Sequence, residues 1–366
     1  MSASRLQFRS FAVALALLAT ASCGEGELDV EAEVDDVTLS SEESELRTNT
    51  NPNRLVVYSN NIENMLFDWK DLVHAMGRHE LKPDIFLVQQ LSGREELQRL
   101  TSFMGQRLRA DYTGVVAQNR PADERFSPDV RPKPKVTTGV VWRSSRFELV
   151  RQDSWMPFGR GFKNQRQSCD ERSWHSGYET IRVKLFDRLA KKHVVVMSLR
   201  HWTWEPCSTK NVLEIVNGFD GGPNDHAGLG RHSDLHIVGG DFNDNVVDGD
   251  GDYKCWYRQM VRGLGASSCA KNVDLGFTDP LFEACDGERS CVRRRGGIDS
   301  LFVRRPDGKP VRTEKFDVVS FEDGHRASVA STGGDGPSNV KSRDGYDDVA
   351  DRYSGHQARR AHVFYE

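Results

Sequence analysis

The chain has 366 residues, with 54 acidic and 50 basic side chains, a net charge of −4 and 37% hydrophobic residues. The first 47 residues hold ten of the acids and three of the bases, so the remainder carries a net charge of +3. That small positive balance mildly favours a polyanionic substrate, and it excludes a strongly basic protein dedicated to binding nucleic acid.

Residues 1–23 have the layout of a secretory signal. Arg5 and Arg9 precede an apolar run, and small residues lead from that run to Cys23. The run is too short for a bilayer span, which needs about 20 apolar residues. We therefore expect a signal peptide and an exported protein, secreted or held at the cell surface. Cys23 resembles a bacterial lipoprotein site, although Thr20 stands where leucine is usual, so lipid anchoring and simple cleavage both stay open.

The segment 24–53 has a different composition from the rest of the chain. It is rich in acidic residues, Ser, Thr and Asn, and it has no aromatic residue. Such a segment buries too little apolar surface to offset the entropy that is lost on ordering. We expect 24–53 to be a disordered acidic tether. The range 54–366 is then one catalytic domain of about 315 residues, a length within reach of a large two-layer fold.

Six of the seven cysteines follow the signal segment. An even number in an exported protein predicts disulfides, although six cysteines allow 15 pairings. Proximity along the chain favours Cys285–Cys291 and Cys255–Cys269, which leaves Cys169–Cys207. Zinc binding is the alternative, but the chain has no Cys-x2-Cys pair, a spacing usual in structural zinc sites.

Short apolar runs predict strands, and two segments predict helices. Apolar residues recur at helical spacing in 64–78 and in 95–108. Runs that are buried on both faces predict sheets covered by helices, in an α/β layered domain. The predicted strands are 55–58, 85–88, 139–142, 193–197, 236–238, 298–303 and 361–365.

Polar side chains stand at or near the ends of these predicted strands. Asp241 and Asn243, in the sequence Gly-Gly-Asp-Phe-Asn-Asp, follow the run at 236–238. Residues two apart in a strand point to the same side, and carboxylate and amide oxygens suit a hard cation or a phosphate group. A polar turn is the alternative for this motif alone. The other polar residues in the series are Asn61, Glu63, Gln89, Gln90, His201, Asp299 and His356.

This series resembles the endonuclease/exonuclease/phosphatase superfamily, the deoxyribonuclease-I-like proteins, over about 55–365. The resemblance implies a four-layer α/β sandwich of two packed mixed β-sheets flanked by helices. It also implies a metal-dependent phosphoric ester hydrolase. His201 stands in Arg-His-Trp, where Thr-His-Leu is usual. The residues that match the pattern of the superfamily are Asn61, Gln89, His201, Asp241, Asn243, Asp299 and His356.

Two positions depart from that pattern. Gln90 stands where a metal-binding glutamate is expected, and Gly355 stands where an aspartate precedes the last histidine. Each change removes a negative charge from the expected place of a divalent cation, for which an amide oxygen is a weaker ligand. The implied metal ligands are Asn61, Glu63 and Gln90, with Mg²⁺ the expected ion and Mn²⁺ or Ca²⁺ as alternatives. Glu63 would restore part of the charge; a solvated side chain is the other interpretation.

The resemblance assigns a catalytic role to five side chains. His356, held by Asp299, would be the general base or a phosphate ligand. Asp241 would orient or deprotonate the attacking water, while Asn243 and His201 would contact the phosphate. The cation would polarise a phosphoryl oxygen.

Three functions stay open at this point. The first is an exported, monomeric phosphodiester hydrolase that acts on DNA or RNA, with membrane contact only through a lipid anchor at Cys23. The second is a phospholipase-like phosphodiesterase acting on sphingomyelin or an inositol lipid. The third is a binding module with an impaired metal site, because Gln90 and Gly355 both depart from the pattern. A shared fold does not decide among them.

Overall fold

Two β-sheets packed face to face form the centre of the fold. The described residues fall within the compact unit that spans 43–366. Among them, no helix is long and apolar enough to cross a membrane. The computed structural model describes residues 47–62, 69–117, 137–155, 180–200, 233–269, 274–295, 297–319 and 358–366.

The first sheet has six strands, and one pair of neighbours in it is parallel. The strands are β1 (Arg54–Asn61), β2 (Ile85–Leu91), β3 (Tyr112–Val116), β4 (Thr137–Arg143), β10 (Thr313–Val319) and β11 (Ala358–Phe364). Their order across the sheet is β10-β11-β1-β2-β4-β3. β1 and β2 run parallel, and all other neighbours are antiparallel.

The second sheet has five strands and is also mixed. Its strands are β5 (Phe147–Trp155), β6 (Thr180–Asp187), β7 (Lys192–Arg200), β8 (Leu235–Asp241) and β9 (Asp299–Arg304). They follow one another across the sheet in chain order, and only β7 and β8 are parallel neighbours.

The main core lies between the two sheets. Leu55 and Leu87 from the first sheet share one buried cluster with Val238 from the second. At Gly239 the sheets approach closely, because an added Cβ would lie 2.5 Å from Cδ1 of Leu87 and 2.9 Å from Oγ of Ser59. Only a residue without a side chain permits that approach.

Helices cover the outer faces of both sheets. The described helices are α1 (Trp69–Gly77), α2 (Arg94–Leu108), α3 (Cys255–Met260), α4 (Pro280–Ala284) and α5 (Arg289–Arg295). Apolar residues of α1 and α2 pack with Val56 and Phe86 on the first sheet. On the second sheet, Trp256 of α3 stacks on Phe242 with 5.0 Å between ring centroids, and it contacts Phe302 of β9 edge-on. The predicted α/β sandwich of two packed mixed sheets flanked by helices is therefore confirmed.

All seven predicted strands overlap strands of the structure, namely β1, β2, β4, β7, β8, β9 and β11. The helix predicted over 95–108 corresponds to α2. The described part of the helix predicted over 64–78 is α1, and 64–68 lie outside the described residues. The sequence analysis did not predict β3, β5, β6, β10 or the three short helices α3 to α5.

Contacts with the first sheet begin before Arg54, inside the segment that was predicted to be the tether. Asn49 is buried, and its Nδ2 donates to the backbone oxygen of Arg54 at 2.7 Å and to Oδ2 of Asp84 at 2.5 Å. Arg47 forms a β-bridge with Leu81. Residues 47–53 are polar, but their hydrogen bonds to the sheet compensate for the low apolar content from which the tether was predicted.

Two of the three predicted disulfides are present. Cys255 and Cys269 are joined with a Cα–Cα distance of 5.5 Å, and Cys285 and Cys291 with one of 5.6 Å. The first bridge ties α3 to the following loop, and the second joins the segment after α4 to α5. Cys169 and Cys207 lie outside the described residues, so their pairing stays a prediction.

A buried ion network joins the two sheets beside the amino end of β2. Asp84 directly precedes β2 and is paired with Arg143 at 2.8 Å and with Arg146 at 3.0 Å. Arg146 also pairs with Asp187 of β6 at 2.7 Å, and the hydroxyl of Tyr365 donates to the same carboxylate at 3.1 Å. These charged side chains are almost fully buried, so each depends on its partners for stabilisation.

Two histidines that contact Arg360, His79 after α1 and His362 on β11, predict a loss of stability in acid. Arg360 faces Nδ1 of His79 and Nε2 of His362; because a guanidinium only donates, both nitrogens accept. Burial, followed by the charge of Arg360, lowers the pKa of each imidazole to about 4. The unfolded chain, in which a histidine pKa is about 6.5, binds more protons between those values. The free energy of unfolding should therefore fall as the pH drops from about 6.5 to 4.

Urea unfolding of a variant tests that expectation. His362→Gln should lose less stability than the wild type between about pH 6.5 and pH 4. His193→Gln, at a partly exposed position of β7, is the control and should keep the wild-type dependence on pH. Equal slopes for His362→Gln and the wild type would contradict the assignment of His362 as a neutral acceptor.

Candidate active site

One edge of the sandwich collects most of the described polar residues that the sequence analysis singled out. Because β1 and β2 are parallel, as are β7 and β8, their carboxyl ends meet at this edge. Asn61 ends β1, Gln90 lies near the end of β2, Asp241 ends β8, and Asp299 begins the antiparallel strand β9. Asp241 and Asp299 are direct partners in the register of the second sheet.

Asp241 is at the centre of this edge. Its carboxylate is fully buried, and it accepts a hydrogen bond from Nδ2 of Asn61 across the two sheets at 3.0 Å. Asn243 donates to it twice, from the backbone nitrogen at 2.8 Å and from Nδ2 at 3.1 Å. Arg200, its register partner on β7, contributes an ion pair at 3.2 Å. The position of the carboxylate is thus fixed from three directions.

The turn after β8 brings Asn243 back onto Asp241. Asn243 has a φ of 50°, in the left-handed region that asparagine tolerates better than most residues. That conformation lets both its backbone nitrogen and its side-chain amide reach the same carboxylate. The two-residue spacing predicted from the sequence is therefore realised as a local turn, and the pair does not lie side by side on an extended strand.

Gln89 and Gln90 are chain neighbours that both contact strand β7. Nε2 of Gln89 donates to Oγ of Ser198 at 2.9 Å, and the carboxamide oxygen of Gln90 accepts from the guanidinium of Arg200, with Nε at 2.9 Å. Ser198 and Arg200 are two apart and share one face of β7, whereas neighbours on a regular strand point to opposite faces. A φ of 60° at Gln90 and a register shift between Val88 and Leu91 remove that alternation.

The backbone of Asp299 is held in place by another arginine, the buried Arg359. Nε of Arg359 donates to the backbone oxygen of Asp299 at 3.1 Å, and Nη1 donates to the oxygen of Arg295 at 2.8 Å. Burial lowers the pKa of the Arg359 guanidinium, and the carboxylates of Asp299 and Asp279 oppose that shift. An arginine nonetheless stays protonated in proteins. Arg359 thereby links the start of β11 to the start of β9.

Two arginines of this edge, Arg200 and Arg359, were not among the predicted site residues. Arg200 was visible only as the residue before His201 that differs from the usual pattern of the superfamily. Arg359 sits in an Arg-Arg pair that gives no sequence signal of burial. Three predicted residues, Glu63, His201 and His356, and the departure at Gly355 lie outside the described residues, so their roles stay predictions.

The described residues do not fit a divalent cation at this edge. The carboxamide oxygen of Gln90 is directed at Arg200, and both oxygens of Asp241 accept from protein donors. A guanidinium at this place repels a second cation. In the described part of the chain, no group of three or more His, Cys, Asp or Glu side chains is placed to hold a metal. Asn61 and Gln90 would bind an ion only if Arg200 moved; the third expected ligand, Glu63, lies outside the described residues.

No protein-family model matches the sequence, and no curated protein matches it. Several solved structures are similar in fold. An endonuclease/exonuclease/phosphatase from Bacteroides vulgatus is 14% identical, over 86% of this chain and 99% of that chain, with a TM-score of 0.48. An endonuclease/exonuclease/phosphatase family protein from Bacteroides thetaiotaomicron is 11% identical, over 86% and 98%, with a TM-score of 0.49. The human nocturnin catalytic domain with bound sulfate is 14% identical, over 85% and 94%, with a TM-score of 0.48.

Proposed function

We propose that the chain is an exported hydrolase of phosphate esters, with a nucleic-acid phosphodiester as its leading substrate. One observation carries the proposal: the buried carboxylate of Asp241 is held at the strand edge by Asn61, Asn243 and Arg200. Burying a carboxylate costs several kcal/mol unless its partners compensate, and here an arginine and two asparagines do so. A fixed carboxylate beside a guanidinium suits the hydrolysis of a phosphate ester.

Asp241 and its neighbours would divide the chemistry between them. The carboxylate would orient a water molecule and accept its proton, which requires that one of its four present contacts is exchanged for a contact with water. The amides of Asn61 and Asn243 keep that carboxylate in place, and the Arg200 guanidinium binds the phosphoryl oxygens. Because these groups are already ordered, little reorganisation is needed when charge develops on the phosphoryl group.

Asp299 and His356 form the second part of the proposal. Asp299 lies opposite Asp241 in the register of β8 and β9, and Arg359 holds its backbone. A histidine that pairs with Asp299 would therefore approach the same phosphate group. The proposed roles of His356 as a base or phosphate ligand, and of His201 as a phosphate contact, rest on the sequence pattern.

The divalent metal expected from the sequence is a separate proposal, because the described residues alone do not fit one. Mg²⁺ is the first candidate, with Mn²⁺ or Ca²⁺ as alternatives, and it would need Glu63 as a ligand. Export, the signal peptide and a lipid anchor at Cys23 are likewise proposed from the composition of the first 23 residues. A monomer is the proposed state.

A substrate panel tests the function. We would incubate the purified full chain with plasmid DNA, RNA, sphingomyelin vesicles and a chromogenic phosphodiester, each with Mg²⁺, Mn²⁺, Ca²⁺ or a chelator. The expected result is hydrolysis of a phosphodiester, with DNA or RNA cleaved fastest, and its loss in His356→Ala. Faster cleavage of sphingomyelin would select the phospholipase-like alternative. Absence of hydrolysis in every combination would contradict the proposal and favour the binding module.

A further inference from the structure

The guanidinium of Arg200 is held between the two sheets, at the edge of the sandwich that carries Asn61 and Asp241 and that is called the active edge below. It forms an ion pair with Asp241 on the neighbouring strand, and its Nε, Nη1 and Nη2 all face the amide of Gln90 on the opposite sheet, with Nε at 2.9 Å. Because a guanidinium only donates, the amide atom that faces it is assigned as the oxygen, and a phosphate would take the place of this contact. Its side chain is 15% exposed, whereas that of Asp241 is completely buried. The charged end therefore lies at the boundary between the core and the solvent at this edge.

The backbone of β2 is bent to make this contact. Gln90 takes a φ of 60° inside a strand, a conformation that is energetically costly for a residue other than glycine. The bend places Gln89 and Gln90 together against Ser198 and Arg200 of β7. A local conformation of that cost persists only where the surrounding contacts enforce it, so the pairing of Gln90 with Arg200 is a built feature of the fold.

The charges of the described residues around Arg200 explain why a positively charged side chain can occupy this place. Asp241 and Asp299 contribute two negative charges, Arg200 and Arg359 contribute two positive charges, and Asn61, Gln90 and Asn243 are neutral. A divalent ion needs net negative ligands, whereas these described residues are balanced without one. A glutamate at position 90 would give them a net charge of −1, and the amide of Gln90, of similar shape, leaves them neutral.

We propose that Arg200 is a resident cation of the active site, which binds the phosphoryl group of the substrate and excludes a divalent ion from the place between Gln90 and Asp241. The guanidinium fork matches two phosphate oxygens at once, which a single point charge does not. This inference rests on the proposed function for its substrate class, a phosphate ester, but the binding that it predicts does not depend on turnover.

Binding of inorganic phosphate tests the first half of the proposal. Isothermal titration of the full chain should show phosphate affinity falling by about tenfold to a hundredfold in Arg200→Ala, the effect of losing hydrogen bonds to a charged group. Arg188→Ala is the matched control, because Arg188 is 48% exposed and pairs with Glu148 on the surface. Wild-type affinity in Arg200→Ala would overturn the proposal.

Binding of Mn²⁺, followed by its electron paramagnetic resonance signal, tests the second half. The wild type should bind no Mn²⁺ between Gln90 and Asp241, and Arg200→Ala combined with Gln90→Glu should bind one more Mn²⁺ per chain than the wild type, because a carboxylate then replaces the guanidinium contact. An equal number of Mn²⁺ ions bound by the wild type and the double variant would overturn the exclusion.

Arg200→Lys keeps the proposal testable if Arg200→Ala does not fold. Lysine still neutralises Asp241, but its single ammonium cannot reproduce the fork, so phosphate affinity should still fall below that of the wild type. Affinity equal to the wild type would count against the proposal.

The two proposals can fail separately. If the chain hydrolyses phosphodiesters but binds phosphate independently of Arg200, only this inference is contradicted. If phosphate binding depends on Arg200 but the chain hydrolyses no phosphate ester, the proposed function is contradicted instead.

Discussion

Replacing Arg146 with alanine is expected to lower the free energy of unfolding by about 3–5 kcal/mol. Arg146 is buried and joins Asp84 beside the first sheet to Asp187 on the second, at 3.0 Å and 2.7 Å. Its removal takes the arginine partner from Asp187 and leaves Asp84 with Arg143 alone, so the main energetic penalty is that of an uncompensated buried charge at Asp187. Urea denaturation followed by tryptophan fluorescence measures the change.

Arg188→Ala is the matched control for that measurement. Arg188 also pairs with an acid, Glu148, but both side chains are about half exposed, so its loss should cost no more than about 1 kcal/mol. If the two variants lose similar stability, the buried network does not join the sheets energetically as its geometry indicates. Because Arg146 contacts Asp84 at the amino end of β2, whereas Gln90 and the other polar residues lie at the carboxyl end, folded Arg146→Ala should retain its activity.

Replacing Asp241 with asparagine is expected to lower kcat/KM by about a hundredfold to ten-thousandfold. Asparagine keeps the size of the side chain and can still meet Asn61 and Asn243, but it cannot accept a proton from water and does not neutralise Arg200. The measurement is the rate of hydrolysis of the best substrate from the panel, at a temperature where thermal unfolding curves show both proteins folded.

Asp244→Asn provides the matched control in the same loop. Asp244 is also largely buried, and its carboxylate forms an ion pair with Lys254. We expect its activity to stay within about threefold of the wild type, the scale of a change below 1 kcal/mol. Full activity in Asp241→Asn, or equal losses in both variants, would contradict the placement of the catalytic carboxylate.

The sequence predicted the centre of the fold better than its periphery. Strands buried on both faces, such as β2 and β8, appear as continuous apolar runs, so the central strands and the layered architecture followed from the pattern. The strands were predicted from continuous apolar runs, and β6 has no such run. Its apolar residues Ile181, Val183 and Leu185 alternate with polar residues, so β6 was missed. β10, at the edge of its sheet, is too polar to be distinguished from a loop.

The grouping of polar residues at the strand edge was predicted only in part, because it too depends partly on features that no sequence pattern shows. Asn61, Asp241 and Asp299 follow or begin predicted strands, and the parallel pairs of each sheet bring such ends together. The contact between Gln90 and Arg200 depends on a left-handed residue inside β2, and no local sequence signal indicated that bend. Gln90 was therefore predicted to be a metal ligand, whereas in the structure its carboxamide oxygen faces the guanidinium of Arg200.

The most direct test of the central claim is a crystal structure of the full chain with a dinucleotide whose linkage is a slowly hydrolysed phosphorothioate. The account predicts that the phosphorothioate group binds at the strand edge, with its non-bridging oxygen on Arg200 and its phosphorus facing the carboxylate of Asp241. A dinucleotide bound elsewhere on the protein, with this edge left empty, would contradict the assignment of the edge as the place where a phosphate ester is cleaved.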